Sequence, residues 1–284
     1  TRLREHTMRT KKYIVELKIL PYFGNKRVND ITAADIRQWQ NELIKMGYSP
    51  TYLKTINNQL SAIFNYAVRY YDLKSNPCEK AGSMGKSKAE EMDFWTGEEF
   101  RRFIDSVMNK RLSYMAFMTL YWTGMRLGEL LALNPKDVDL KKRTISITKS
   151  YQRLGKKDVI TPPKTPKSKR VITIPEFLAA DIKDYMDSLY DLQEDDRLFP
   201  ITKYYLEHEM QRGIKESGVK RIRVHDLRHS HASMLIELGF SPLEIANRLG
   251  HEKVETTLNT YAHLYPNKQT KLAERLDSEY REDL

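Results

Sequence analysis

Between His225 and Leu264 the chain reads HDLRHSHASMLIELGFSPLEIANRLGHEKVETTLNTYAHL, with five histidines, an arginine inside His-x-x-Arg, and a tyrosine ten residues after a Leu-Gly-His. These residue types can bind metal, move protons, hold an anion or attack one. His225 and His229 sit four apart on a predicted helix, a spacing that suits zinc. No glutamate lies inside the pair, no cysteine completes a structural set, and Arg228 between them repels a cation. No metal and no cofactor is therefore expected. His229, His231 and His263 are read as packing or helix-surface residues, and Ser230 and Ser233 suggest no nucleophilic triad.

An anion fits better. Arg228 lies three residues after His225, so the two share a helical face and reach one ligand. A second arginine, Arg126, sits in TGMRLGEL, just after a glycine turn, with Glu129 one helical turn beyond to orient it. Guanidinium forks match the paired non-bridging oxygens of a phosphodiester in a way lysine does not. Two such forks stabilise the added charge of a pentacoordinate phosphorus. A tyrosine hydroxyl titrates near about pH 10, so it attacks at neutral pH only beside a base or strong positive charge.

Composition points to the same kind of partner. The 284 residues carry a net charge of +10, which favours a polyanion. Residues 1–90 hold 16 lysines and arginines against 8 acids, and residues 141–170 hold 11 against one, Asp158. No apolar run is long enough for a bilayer and no basic amphipathic helix stands out, so a membrane partner is not expected. The single cysteine, Cys78, excludes an internal disulfide and suits a reducing, cytoplasmic setting. The chain starts at Thr1, which suggests residues upstream.

The elements that must carry these residues are mostly helical. EHTMRTKKYIVELKILPYFG places Tyr13, Ile14, Leu17 and Leu20 on one stripe. A second helix begins at Thr32 with Asp35 in its first turn. A third begins with Ser49 as cap and Pro50 at its first position, its apolar face formed by Leu53, Ile56, Leu60, Ile63, Phe64 and Ala67. Residues 78–91 lose periodicity and read as a flexible linker. Thr96 and Glu99 form a capping box for the next helix. Between Arg143 and Ile174 the runs RTISITKS, KKDVI and KRVITIP predict one three-stranded antiparallel sheet, and helical patterning then resumes to the end. The expected fold class is mainly α with a small antiparallel β-sheet: a helical domain over 1–77, a linker over 78–91, and a larger domain over 92–284.

Taken in order, TGMRLGEL, the basic hairpin, HDLRH and LGHEKVETTLNTYAHL resemble the tyrosine recombinases, the phage-integrase family of site-specific DNA recombinases. The signature runs from Thr123 to Leu264, and the upstream helices are similar to the family's core-binding domain. The resemblance implies that Arg126 and Arg228 hold the scissile phosphate of double-stranded DNA. Tyr261 becomes the nucleophile, forming a 3′-phosphotyrosyl link without metal or ATP. His225 assists proton transfer at the tyrosine, and His251 hydrogen-bonds the phosphate. Lys164, with Lys167 and Lys169 as alternatives, protonates the leaving 5′-oxygen. The resemblance further implies a homotetramer on paired DNA sites, with residues 266–284 passed to a neighbour or packed back on their own domain. Two other functions share parts of the pattern: a type IB topoisomerase, and a DNA-binding regulator with a degenerate site.

Overall fold

The computed structural model describes residues 5–87, 92–155, 157–163, 165–265 and 273. The chain divides into two compact units, residues 1–91 and 92–284. The expected exchange segment, residues 266–284, lies outside the described residues apart from Ala273, as does Lys164.

The first unit contains α1 (Glu5–Ile14), a π turn (Val15–Ile19), α2 (Leu20–Phe23), α3 (Ala33–Lys45), α4 (Pro50–Tyr70) and α5 (Pro77–Ala81). The side chains of Thr32 and Ser49 cap α3 and α4, and Asp35 returns the bond to Thr32 in a reciprocal box. The stripe expected on the first helix is wrong. Only Ile14 of it is buried, while Tyr13, Leu17 and Leu20 are half-exposed at 53%, 52% and 49%. Pro21 has no N–H to give the Leu17 carbonyl, and the ladder slips, Leu20 N–H bonding Val15 O five residues back. The extra residue rotates the inward face onto Ile14, Ile19 and Phe23. It also leaves the Lys18 carbonyl to accept a 2.8 Å bond from the Trp39 indole.

The linker reading also fails over residues 78–87. Asn76 caps α5, and Cys78, Ala81 and Met84 are buried in the core of the first unit beside Leu53, Ile56 and Leu60. Gln40 Nε2 donates to Gly82 O at 2.8 Å, and Lys86 N–H to Pro50 O at 3.1 Å. Small and charged residues here follow the contour of a packed surface. Their lost periodicity reflects short turns, not absent contacts.

The second unit holds α6 (Gly97–Val107), α7 (Arg111–Thr123), α8 (Leu127–Leu130), β1 (Val138–Asp139), β2 (Thr144–Ile147), β3 (Ser150–Leu154), β4 (Lys157–Thr161), β5 (Arg170–Thr173), α9 (Glu176–Asp187), α10 (Lys203–Ser217), α11 (Leu227–Glu237), α12 (Pro242–Leu249) and α13 (Val254–Tyr261). Helix α7 runs through the middle of the core, buried from Met115 to Tyr121, with Tyr121 stacked on Phe100. The strands pair differently from expectation. One sheet has the order β1-β2-β5, all antiparallel, with Ile145 opposite Ile172; β3 and β4 form a separate hairpin. Strands β2 and β5 both aim isoleucines at the core, so they pair with each other. Strand β4, Lys157–Thr161, has no buried residue and turns back onto Ser150–Leu154.

Candidate active site

Helix α7 ends at Gly124, whose φ of +64° only glycine adopts readily. The turn places the Gly124 carbonyl where Arg228 Nη1, from the first turn of α11, donates to it at 2.7 Å. Arg228 Nη2 donates to Leu249 O, at the end of α12, also at 2.7 Å. The guanidinium is 4% exposed and, among the described residues, pairs with no carboxylate. Burial and then the charges of Arg126 and Arg170 lower its pKa to about 9, which leaves it cationic at neutral pH.

Arg126 caps α8. Its backbone N–H and Nη1 both donate to the Glu129 carboxylate at 2.9 Å, so that residue orients Arg126 as its spacing suggested. Glu129 is 3% exposed and holds a second arginine as well. Arg170, on β5, donates Nη2 to Glu129 Oε2 at 2.8 Å and Nη1 to Oε1 at 3.2 Å. Its Nε donates to Arg248 O at 2.9 Å. Burial is the largest single influence and works against the carboxylate charge, yet the bonds and charges of Arg170 and Arg126 together outweigh it and the Glu129 pKa is lowered. Arg170 thus ties α8 to the end of α12, next to the carbonyl that holds Arg228. Two guanidiniums share one carboxylate and a third, Arg228, pairs with none among the described residues, a cluster with surplus positive charge.

The histidines close around this cluster. His251 Nδ1 bonds Thr257 Oγ1 at 2.7 Å. Burial first, then Arg228 and Arg126, push its pKa down to about 4. His225, exposed at the rim, is shifted the same way by desolvation and then by Arg228. Tyr261 ends α13, with its ring buried among Ala232, Ile236, Ile245 and Leu249 and only 1% exposed. Its hydroxyl bonds His229 Nδ1 at 2.7 Å. Burial pushes the phenol up to about 12, with Arg228 pulling the other way. The resting phenol is therefore protonated.

Arg126, His225, His251 and Tyr261 thus all lie within electrostatic reach of Arg228, drawn from α11, α13 and the turns that lead into α8, α11 and α13. Lys164 lies outside the described residues; Lys167 and Lys169 are exposed. Sequence reasoning missed Arg170, Arg248 and Thr257, and placed His229 among packing residues. The only available signal for His229 was its position one turn beyond His225. For Thr257 it was its place between His251 and Tyr261.

Residues 94–268 match the phage integrase family and residues 1–44 its N-terminal SAM-like domain, and the chain belongs to that family. It is a tyrosine-type site-specific DNA recombinase, an enzyme. The ICEBs1 integrase of Bacillus subtilis (strain 168) is 34% identical, over 94% of this chain and 76% of its own length. A XerC-like tyrosine recombinase of Caldanaerobacter subterraneus is 25% identical, over 88% of this chain and 72% of its own. Among solved structures, the fold matches the Tn1549 transposon integrase in complex with transposon right end DNA, at a TM-score of 0.79 and 20% identity, covering 96% of this chain and 93% of that one. It also matches a lambda integrase tetramer bound to a Holliday junction, at 0.69 and 17%, covering 94% and 73%. No helix among the described residues is long and apolar enough to cross a membrane.

Proposed function

We propose that Tyr261 cuts and rejoins duplex DNA at the ends of a mobile element through a 3′-phosphotyrosyl intermediate. The observation that carries this is Arg228, a buried cation held, among the described residues, by the main-chain carbonyls of Gly124 and Leu249, whose field reaches the Tyr261 hydroxyl. A scissile phosphate between Arg228 and Arg126 supplies the missing counter-charge, and His251 donates to a non-bridging oxygen. Attack by the tyrosine oxygen forms the O–P bond as the bond to the 5′-oxygen breaks. Lys164 supplies the leaving oxygen's proton, with Lys167 and Lys169 the alternatives, and the proton that the tyrosine loses as the O–P bond forms passes toward the rim, where His225 assists its transfer. Rejoining reverses the step, since the phosphotyrosine conserves the bond energy.

The first unit, with its excess of lysine and arginine, binds the duplex backbone beside the cut, which makes affinity fall steeply with salt. A lambda integrase tetramer bound to a Holliday junction supports assembly of four copies on DNA, with residues 266–284 passed to a neighbour or packed back on their own domain. The chemistry takes place in the bacterial cytoplasm, on the chromosome.

A nicked duplex that loses its short 5′-end after cleavage traps the adduct. The wild-type protein gives an SDS-stable protein–DNA complex. Tyr261→Phe binds the same duplex and gives none; an adduct from that variant removes Tyr261 as nucleophile.

A further inference from the structure

His229 lies outside the set of residues just assigned, yet it makes the one described hydrogen bond of the Tyr261 hydroxyl, at 2.7 Å through Nδ1. His225 does not touch the phenol; its ring packs edge-on against His229 with centroids 5.4 Å apart. The other nitrogen of His229, Nε2, faces Asp226 Oδ1 at 4.0 Å. Asp226 is 3% exposed and is held by Arg223, whose Nη2 donates to Oδ1 at 2.7 Å and whose backbone N–H donates to Oδ2 at 2.7 Å. A chain therefore runs from Arg223 through Asp226 and His229 to Tyr261.

The nearby carboxylate biases who donates. A carboxylate facing Nε2 favours the tautomer with hydrogen on that atom, which leaves the Nδ1 lone pair free. The tyrosine hydroxyl then donates to Nδ1. A hydroxyl has one hydrogen and two lone pairs, so giving the hydrogen to His229 turns the lone pairs away from the imidazole. Were the tautomer reversed, Nδ1–H would occupy the lone pair that attack requires. The imidazole is also a poor proton sink. Burial, then His225 and Arg228, hold it down to about 4 against Asp226 alone pulling up. The bond orients the phenol and leaves its proton in place.

We propose that His229 is the positioning residue of the nucleophile: its neutral imidazole, set in one tautomer by Asp226, holds the Tyr261 hydroxyl with an attacking lone pair free. This rests on Tyr261 being the nucleophile. The test uses the nicked duplex at saturating protein with three variants, His229→Leu, His229→Asn and Tyr261→Phe. Displacing a reacting group by about an ångström costs on the order of 100-fold in rate, so His229→Leu forms adduct about 100-fold more slowly with Kd for DNA unchanged. His229→Asn places an amide oxygen near the Nδ1 position and recovers at least about tenfold of that loss. Its rate follows the wild-type pH profile, because no titrating base has been removed.

His229→Leu cleaving at the wild-type rate or faster overturns the proposal. So does His229→Asn no better than Leu, or a pH profile that loses its acidic limb. Nitrogen NMR of the wild-type imidazoles needs no variant: hydrogen on Nε2 of His229 supports the tautomer, and hydrogen on Nδ1 overturns it. Adduct from Tyr261→Phe sinks the nucleophile itself, whereas a silent Tyr261→Phe beside a fully active His229→Leu sinks only the role of His229.

Discussion

Acidifying the free protein to about pH 5.5 should cost the second unit about 4 kcal/mol of stability. Three histidines set the magnitude. Their ordinary value is 6.5, and in the folded unit burial brings His229 and His251 to about 4 and His231 to about 3. Between those values the unfolded chain binds protons that the folded unit refuses, so stability is complete above 6.5 and is lost as pH falls. About one unit below the ordinary value, each group contributes a loss of about 1.4 kcal/mol. Glu129 and Asp226 have lowered values from 4.5 and 3.8, so their contributions are lost only at lower pH. The assay is urea unfolding followed by fluorescence in a Trp39→Phe background, which leaves Trp95 and Trp122 as reporters in the second unit. His231→Gln removes one titrating ring while keeping an acceptor for Arg248 Nε, which now bonds it at 2.9 Å. The loss should shrink to about 3 kcal/mol. A stability that stays flat over this interval, or an unchanged slope in His231→Gln, refutes the assignment of neutral buried imidazoles.

Arg170→Met removes both bonds to Glu129 and the tie to Arg248 O, so Arg126 loses its fixed orientation; adduct formation should fall about 100-fold with DNA binding retained. Arg170→Lys should rescue little, because an ammonium cannot copy the fork, and wild-type cleavage by the lysine variant would refute the strut. Gly124→Ala puts a Cβ 2.5 Å from the His231 ring at a φ of +64°, and should lower the urea-unfolding stability by more than about 2 kcal/mol; a shift below about 0.5 kcal/mol would show that the turn relaxes.

Features governed by a few adjacent residues were readable in advance. The caps at Thr32, Ser49 and Thr96 depend on bonds spanning three residues, and all three form. The order of Arg126, His225, Arg228, His251 and Tyr261 suggested a candidate site because each sits in a recognisable local phrase. What stayed hidden depends on distance along the chain. Arg170 meets a carboxylate 41 residues away, and nothing in KSKRVITIP announces it. The pairing of β2 with β5 across an intervening hairpin follows from which isoleucines the core accepts. The π turn is a subtler case: the helical stripe is read as far as Leu20, and the N–H that Pro21 lacks shifts the period by one residue before it. The packed segment 78–87 misled because burial of Cys78, Ala81 and Met84 follows turns with no regular spacing.

Because Arg228 is anchored by peptide oxygens at positions 124 and 249, its anchorage is indifferent to side-chain chemistry. No exchange of one residue type for another at those sites deletes the acceptor; only a shift in the path of the backbone moves it. The expense of stripping water from the guanidinium is met while the polypeptide folds, not when the nucleic acid arrives. An incoming phosphodiester then finds a charge that is already dry, and occupancy should raise the melting temperature of the domain well beyond what surface neutralisation alone provides.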